Sequence, residues 1–333
     1  MPMRPLRLPQ DFRPIGEMIP LTFQYPDHPE WGFREDERNE IARTIRTLRR
    51  LWPLLRFLGL FSSSLRDVYR GFVWEEDDRV VAVVLLSRDG TTAGWEVAVV
   101  GVLPEYRRRG LARTLLVRSI DYLRERKAEK ATLGVIDRNV PAYSLYTSLG
   151  FDHYSGTMEY ELTPSPSDAP AAQPLPAGYV TEPFKPAQGW RLRYELDRRI
   201  APAELVVYEP VELARYRPPP LLRLLLPIVR WMQRSDRTAM VIREIRSGHL
   251  VALATTSIPR KRNGVQSMRL RLDPAHGELA DYLVAGQLRH FTAKGAEQRV
   301  ELMLPRWMSV LASSAERHGF TKRLEYHHLG LTL

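Results

Sequence analysis

The sequence predicts an α/β (α+β) chain made of two related domains, and three observations support this prediction. The chain has 333 residues, more than a single domain commonly holds. Residues 163–178 contain five prolines among serine and alanine, a composition typical of a linker. The segments on either side of this linker repeat each other. We therefore predict domains at residues 1–163 and 179–333, joined by a linker at residues 164–178.

The repeat consists of four matching pairs of segments. The separation between the members of a pair is 167, 170, 170 and 169 residues, which is too steady for chance. This constancy indicates a tandem duplication of one domain. The pairs begin at Pro53 and Pro220, Arg79 and His249, Pro104 and Pro274, and Gly150 and Gly319.

The first informative motif is a turn rich in arginine and glycine. Residues 95–103 are mostly apolar and end at Pro104, which is typical of a buried strand. From Leu111 onward, leucine and isoleucine recur at the spacing of an amphipathic helix. The first N–H groups of a helix lack internal partners, so an anion fits in the turn beside Gly110.

Two other interpretations of this turn were weighed. Residues 107–109 are three successive arginines. Instead of forming an anion site, these three side chains could be a run of solvated surface residues. The turn has neither the Gly-Lys-Ser/Thr ending of a Walker loop nor the glycine pattern of a Rossmann turn. This argues against a nucleoside triphosphate or a nicotinamide cofactor.

The second motif follows another short apolar strand, at residues 131–136. Asn139 is a suitable N-cap for a helix that ends at Gly150. Tyr146 lies on the apolar face of that helix, so a tyrosine that only packs in the core is the alternative to a functional one. The residues that share this face are Ala142, Leu145, Tyr146 and Leu149.

Together the two motifs resemble those of the GNAT superfamily of acetyl-CoA-dependent N-acetyltransferases. Residues 107–112 read Arg-x-x-Gly-x-Ala, and residues 139–151 read Asn-x-x-Ala-x-x-Leu-Tyr-x-x-x-Gly-Phe. The resemblance covers residues 4–162. It implies two GNAT-type domains, each with a splayed, mixed, mostly antiparallel sheet flanked by helices. It also implies acetyl-CoA as co-substrate, with its pantetheine arm in the cleft of the sheet.

Carried over by position, the resemblance implies which residues bind the co-substrate. Backbone groups of Val100 and Val102 would hold the pantetheine arm, and Asn139 would hydrogen-bond it. The backbone amides of seven consecutive residues would bind the pyrophosphate. We expect no metal, because no histidine or carboxylate cluster has convincing metal-ligand spacing. The seven residues are Arg107, Arg108, Arg109, Gly110, Leu111, Ala112 and Arg113.

The resemblance also places Tyr146 beside the thioester sulfur, where a phenol of pKa about 10 can protonate a leaving thiolate. Glu96 is the candidate base, on the same alternating face as Val100 and Val102 if no bulge intervenes. An exposed residue at a strand end is the alternative for Glu96. His28 is a further candidate for the base. Alternatively, the loop that contains His28 forms an aromatic wall of the acceptor pocket.

The expected function is direct transfer of an acetyl group from acetyl-CoA to a primary amine in a ternary complex. The chain contains no cysteine, which excludes an acyl-cysteine intermediate. The acceptor would be a small-molecule or peptide amine. Two other functions stay open: a non-catalytic protein that binds or senses acyl-CoA, and a basic protein that binds nucleic acid or a membrane surface.

The second copy lacks the residues on which this chemistry depends. At an offset of 170, residues 276–282 replace the arginine-rich turn with His-Gly-Glu-Leu-Ala-Asp-Tyr. At an offset of 169, Ala315 replaces Tyr146 and Met308 replaces Asn139. We expect the second half to keep the fold, to bind no coenzyme A productively, and to act with the first as a pseudo-dimer. The sequence does not indicate the oligomeric state.

The net charge of +10 is divided unequally, as +1 for residues 1–163 and +9 for the remainder. A basic field attracts nucleic acid or acidic membranes, but no nucleic-acid-binding motif accompanies it. Residues 41–61 and 221–232 are apolar stretches that arginine and proline interrupt, so neither suits a membrane span. No signal peptide is visible. We therefore expect a cytoplasmic protein without nucleic-acid or membrane partners.

Overall fold

The computed structural model describes residues 2–60, 67, 69–89, 92–165, 170–184, 188–217, 235–259, 265–294 and 298–333. Twelve β-strands and nine α-helices lie within these residues. The strands are β1 (Met3–Pro5), β2 (Arg70–Glu76), β3 (Arg79–Arg88), β4 (Gly94–Val102), β5 (Lys130–Ile136), β6 (Asp152–Leu162), β7 (Tyr179–Pro183), β8 (Ser235–Glu244), β9 (Leu250–Pro259), β10 (Gln266–Leu272), β11 (Val300–Pro305) and β12 (Thr321–Thr332). The helices are α1 (Phe12–Thr22), α2 (Glu35–Gly59), α3 (Leu111–Glu125), α4 (Val140–Thr147), α5 (Gly189–Ile200), α6 (Ala203–Tyr208), α7 (Leu213–Tyr216), α8 (Ala280–Ala293) and α9 (Ser309–Arg317).

The chain forms two compact units. Among the described residues, unit 1 contains 2–154 and 327–333, and unit 2 contains 155–217 and 235–326. Most of β6 therefore belongs to unit 2, and the end of β12 belongs to unit 1. Each unit is completed by a strand from the other half of the sequence. The domain limits drawn from the sequence stay a prediction.

Unit 1 is built on a mixed, mostly antiparallel sheet, the class that the sequence predicts. The strand order is β1-β2-β3-β4-β5-β12. The β1–β2, β2–β3 and β3–β4 pairs are antiparallel, and the β4–β5 pair is parallel. Helices α1 and α3 contact β3, in which residues 80–86 are all buried. Such an unbroken buried run indicates a strand that is covered on both faces.

The helix that follows the arginine-rich turn confirms the predicted periodicity. It begins at Leu111 as predicted and ends at Glu125. Its buried side chains recur at three- and four-residue spacing, so one face of α3 packs against the core of unit 1. These buried residues are Leu111, Leu115, Leu116, Ser119, Ile120 and Leu123.

Unit 2 repeats this architecture. Its strand order is β6-β11-β10-β9-β8-β7. The β10–β11 pair is parallel, and the other neighbouring strands are antiparallel. The main core of the unit lies around β10, β11, α8 and α9. The predicted duplication therefore appears as one order of strands that both units share.

The turn before α8 differs from its counterpart in unit 1. A 3-10 helix, Pro274–Leu279, fills it, and the Asp273 side chain accepts a hydrogen bond from the Ala275 amide at 3.1 Å. Asp281 stands in the first turn of α8 and accepts from the Ser314 hydroxyl at 2.6 Å. An acidic side chain at a helix N-terminus competes with an anionic ligand for the same positive end of the dipole.

Two apolar stretches raised the question of a membrane span. Helix α2 contains residues 41–59 of the first stretch, whereas Phe61 and residues 221–232 lie outside the described residues. Within the part of the chain that the structure describes, none of the helices combines the length and apolarity that crossing a bilayer demands.

We expect Gly71→Ala to destabilise unit 1 by about 3 kcal/mol, because the backbone there is accessible only to glycine. Gly71 has a φ of +138°, and a Cβ atom would lie 1.9 Å from the Val84 carbonyl oxygen. The matched control is Gly134→Ala in β5, where an added Cβ meets nothing within 4 Å. Urea unfolding followed by tryptophan fluorescence measures both variants. Equal unfolding midpoints for the two would contradict the expectation.

Candidate active site

The strands β4 and β5 part soon after they meet. Only residues Gly94, Trp95 and Glu96 pair with β5, opposite residues 130–132. Both strands are described throughout, and β4 continues to Val102 while β5 continues to Ile136 without further pairing between them. The sheet is therefore splayed at this point, and the backbone edge of β4 that includes Val100 and Val102 faces a cleft. Backbone groups on such an edge need other partners.

A β-bulge changes the predicted position of Glu96. In the pairing of β3 with β4, Leu86 lies opposite Val97 and Leu85 lies opposite Val99, so Ala98 is an additional residue. A bulge of one residue reverses the alternation of side chains beyond it. Glu96 therefore shares a face with Val99 and not with Val100 and Val102. The sequence-based position of Glu96 required that no bulge intervene, and the bulge at Ala98 breaks that requirement. The role of Glu96 as a base stays a prediction.

The turn between β4 and α3 presents a run of unbonded backbone amides. A short 3-10 helix ends at Tyr106, and the Arg107 amide donates to the Pro104 carbonyl at 3.2 Å. The next amide with an acceptor in the described residues is that of Thr114, which donates to the Gly110 carbonyl at 3.0 Å. Residues 108–113 thus offer six consecutive N–H groups. Arg107 does not belong to this run, in contrast to the sequence-based expectation.

Two left-handed residues shape this run. Arg108 has a φ of +64° and Gly110 a φ of +78°. Alternating backbone conformations of this kind turn successive N–H groups toward one concave surface, which favours an anion. Glycine suits this position because it adopts the left-handed backbone conformation without strain. An added Cβ atom at Gly110 would meet nothing within 4 Å, so the space beside it is open.

The guanidinium of Arg107 contacts protein groups and does not extend into the cleft as a free charge. It donates to the carbonyl oxygens of Thr22 at 3.0 Å and Gln24 at 3.3 Å. It also lies 5.1 Å from the centre of the Tyr25 ring, within cation–π range. Arg107 therefore fastens the end of α1 and the following loop to the arginine-rich turn.

The other arginines of the motif differ in their contacts. Arg108 is exposed, and within the described residues its side chain makes no hydrogen bond or ion pair. Arg109 donates to the Glu105 carbonyl at 3.3 Å, and Arg113 donates to the Ser148 hydroxyl at 2.6 Å. Arg108 is thus the arginine of this motif that is most available to a charged ligand.

Tyr146 lies on α4, and its side chain is buried in unit 1. Burial raises the pKa of its phenol above the ordinary value of 10, and the nearby Tyr25 raises it further. The hydroxyl of Tyr146 makes no hydrogen bond to any residue that the structure describes. The hydroxyl oxygen itself is not fully buried, so it can form a hydrogen bond with a ligand or with water.

Asn139 has two roles, one of which the sequence predicted. Its side-chain oxygen accepts from the Ala142 amide at 3.3 Å, which confirms it as the N-cap of α4. Its Nδ2 donates to the Tyr25 hydroxyl at 3.2 Å, and the second proton of Nδ2 remains for another acceptor. Tyr25, which the sequence analysis did not single out, thus connects Asn139, Arg107 and Tyr146.

The loop that contains His28 forms an aromatic surface next to these residues. The His28 ring stacks on Trp31 with centroids 4.0 Å apart, and Tyr25 meets Trp31 edge to face at 5.2 Å. His28 Nδ1 lies 3.3 Å from a Glu30 carboxylate oxygen. These contacts agree with the alternative of an aromatic wall, because a stacked ring with an acidic neighbour already has partners.

Comparison with known proteins identifies the family. Residues 27–151 match the profile described as "Acetyltransferase (GNAT) family". "N-alpha-acetyltransferase 30" of Schizosaccharomyces pombe is 34% identical over 107 residues, which are 28% of this chain and 71% of that protein. The chain belongs to the GNAT acetyltransferase family. This confirms the resemblance carried by the two motifs, and the family is one of acyltransferases, the class of enzyme that the sequence predicted.

Other relatives match a smaller share of their own length. "Mycothiol acetyltransferase" of Thermobifida fusca is 41% identical over 146 residues, 42% of this chain and 41% of that protein. The chain thus spans less than half the length of this curated relative.

Solved structures confirm the fold class over nearly the whole chain. A "Tandem GNAT protein from the clavulanic acid biosynthesis pathway" has a TM-score of 0.63 at 15% identity, covering 99% of this chain and 98% of its own. A GCN5-related N-acetyltransferase from Sphaerobacter thermophilus has a TM-score of 0.64 at 14% identity, covering 99% and 95%. At such low identity the likeness concerns the fold alone.

We expect Arg107→Gln to lower the free energy of unfolding by about 1–3 kcal/mol, because it removes charge-assisted hydrogen bonds to the carbonyl oxygens of Val102, Thr22 and Gln24. Arg108→Gln removes the same charge from the adjacent residue and should change stability by less than about 0.5 kcal/mol. Thermal unfolding of both variants measures the difference. A loss of stability of the same size in Arg108→Gln would contradict the role assigned to Arg107.

Proposed function

We propose that unit 1 transfers an acetyl group from acetyl-CoA to a primary amine. The observation that supports this most strongly is the run of six unbonded amides at residues 108–113, beside a cleft in the sheet. The hydroxyl of Tyr146, which has no hydrogen-bond partner among the described residues, belongs to the same group of residues, because Tyr25 contacts Arg107 and interacts with Tyr146. This combination suits a thioester attached to a pyrophosphate, as the family implies.

The residues present fit coenzyme A. Its pyrophosphate is anionic, and residues 108–113 offer N–H donors at the positive end of α3. The open space at Gly110 leaves room for phosphate oxygens to approach the backbone. At Val100 and Val102 the edge of β4 does not pair with β5 and can offer backbone groups to an amide-containing arm, although the Val102 carbonyl also accepts from Arg107 Nε at 3.4 Å. Asn139 offers its second Nδ2 proton.

Acetyl-CoA, when bound, supplies the acetyl thioester. An amine nitrogen then forms a bond to the carbonyl carbon, the bond from that carbon to sulfur breaks, and the amine releases a proton. Tyr146 keeps its proton at neutral pH because burial raises the pKa of its phenol. Its hydroxyl can therefore donate to the leaving sulfur, as a charge-assisted hydrogen bond and as the source of the thiol proton.

The acceptor that the relatives favour is a small-molecule amine, because several of them are named mycothiol acetyltransferases. The relative from Schizosaccharomyces pombe, an N-alpha-acetyltransferase, makes a peptide α-amine the second class to test. Asp27 and Glu30 are exposed on the aromatic loop beside Tyr25, and their charges suit an ammonium group that approaches from this side.

A panel of small-molecule and peptide amines, with thiol release from acetyl-CoA as the readout, tests the function. With an accepted amine, we expect Tyr146→Phe to lower kcat by about 10²–10⁴-fold, because the proton donor is removed. Tyr143→Phe, one turn earlier on α4, is the matched control and should retain most of kcat. Unchanged turnover in Tyr146→Phe would exclude it as the acid, and tight acetyl-CoA binding without transfer to any amine would exclude catalysis.

The raised pKa of Tyr146 also sets an expectation for the pH profile. The hydroxyl donates only while protonated, so it remains active below its pKa and fails above it. Because that pKa lies above 10, kcat should not decline between pH 7 and pH 10 through loss of this proton. Steady-state rates across this range measure the profile. A decline with a midpoint below pH 9 that disappears in Tyr146→Phe would contradict the assignment.

A further inference from the structure

A cluster of charged side chains lies in unit 2 between α5, α7 and β10. At its centre is Asp197 on α5, with only 6% of its surface exposed. One carboxylate oxygen, Oδ2, accepts from the Tyr216 hydroxyl at 2.8 Å and from Arg193 Nε at 3.3 Å. The other, Oδ1, is buried and has no hydrogen-bond partner. This leaves Asp197 half satisfied in a place from which water is largely excluded.

Arg271 on β10 forms an ion pair with the unsatisfied oxygen. Its Nε lies 3.7 Å from Asp197 Oδ1, which is too far for a hydrogen bond. Its side chain is 21% exposed, and its guanidinium makes no hydrogen bond to any residue that the structure describes. Five donors without an acceptor among the described residues are unusual on a mostly buried side chain, because arginine is rarely buried unless it is paired.

The charges of this cluster do not balance. Burial lowers the pKa of Arg271 to about 10, and repulsion by Arg193 contributes in the same direction. Asp197 can neutralise only one of these two guanidinium groups. The adjacent Arg215 and Glu209 pair with each other at 2.6 Å and add no net charge. Among the described residues, one positive charge therefore remains uncompensated on two guanidinium groups that are 50% and 21% exposed, so a ligand can reach them from solvent.

We propose that Arg271 and Arg193 bind a small oxyanion, the carboxylate or phosphate group of a ligand, in this part of unit 2. A guanidinium presents paired donors that match both groups. Asp197 holds Arg193 in position and, with Tyr216, bounds the site on the side of the helices. A ligand group with one negative charge would satisfy donors of Arg271 and balance the cluster.

The place of this site in the repeat supports a function gained by the second copy. At an offset of 170, Arg271 corresponds to Gly101, which lies on β4. An added Cβ at Gly101 would be 2.9 Å from the Thr22 hydroxyl oxygen, so α1 and β4 are in close contact there. Unit 2 has a long charged side chain where unit 1 has none. The site does not depend on acetyl transfer.

Anion binding to the full chain, without acetyl-CoA, tests the proposal. Inorganic phosphate and succinate are titrated by calorimetry at constant ionic strength in chloride, and thermal unfolding is followed in the same solutions. Saturable binding raises the unfolding temperature with ligand concentration. Residues 108–113 can also bind phosphate, so the difference between the wild type and Arg271→Gln isolates the site in unit 2. The anion with the lower dissociation constant shows whether the site prefers a phosphate or a carboxylate group.

We expect Arg271→Gln to weaken anion binding at this site by at least tenfold and Arg193→Gln to weaken it as well. The matched control, Arg269→Gln, removes an exposed charge two residues away on β10 and should change the dissociation constant by less than twofold. The proposal is overturned if neither anion binds beyond the effect of chloride, or if Arg269→Gln weakens binding equally. It is also overturned if Arg271→Gln lowers the unfolding temperature by the same amount with and without anion. Arg271 would then only stabilise the folded protein through its ion pair with Asp197.

Discussion

The early separation of β4 from β5 is the constraint on which the rest of unit 1 depends. Two parallel strands that part after three paired residues give up the hydrogen bonds of the remaining ladder. The buried run of β3 holds β4 on its other side, and the apolar face of α3 packs in the same core. The cleft is therefore a property of the packed sheet and does not require a mobile loop to create it.

The turn after β4 and the loop after α1 form one network around this cleft. Arg107 joins them through two backbone carbonyls and the ring of Tyr25, and Asn139 connects the same tyrosine to α4. Groups proposed to bind the co-substrate and groups proposed to face the acceptor are therefore mechanically linked. Tyr25 is the residue through which the two groups are in contact.

Local signals account for the parts of the site that the sequence predicted. The start of α3 at Leu111 and the N-cap at Asn139 follow from periodicity and from capping preference within a few residues. The additional residue at Ala98 could not be predicted, because a bulge depends on how the neighbouring strand pairs. Tyr25 is 114 residues from Asn139 in the chain, and no local pattern connects the two. The partners of Arg107 were missed for the same reason.

The assignment of β12 to unit 1 has a consequence for the order of folding. Leu329 and Leu331, near the end of the chain, are part of the hydrophobic core that also contains Tyr146 and Phe151. During synthesis this core stays incomplete until the end of β12 has been made, although its other members precede unit 2 in the sequence. Contacts between distant parts of a chain slow folding and prolong the exposure of apolar surface. The completion of the unit that contains the proposed active site must thus wait until unit 2 has been synthesised.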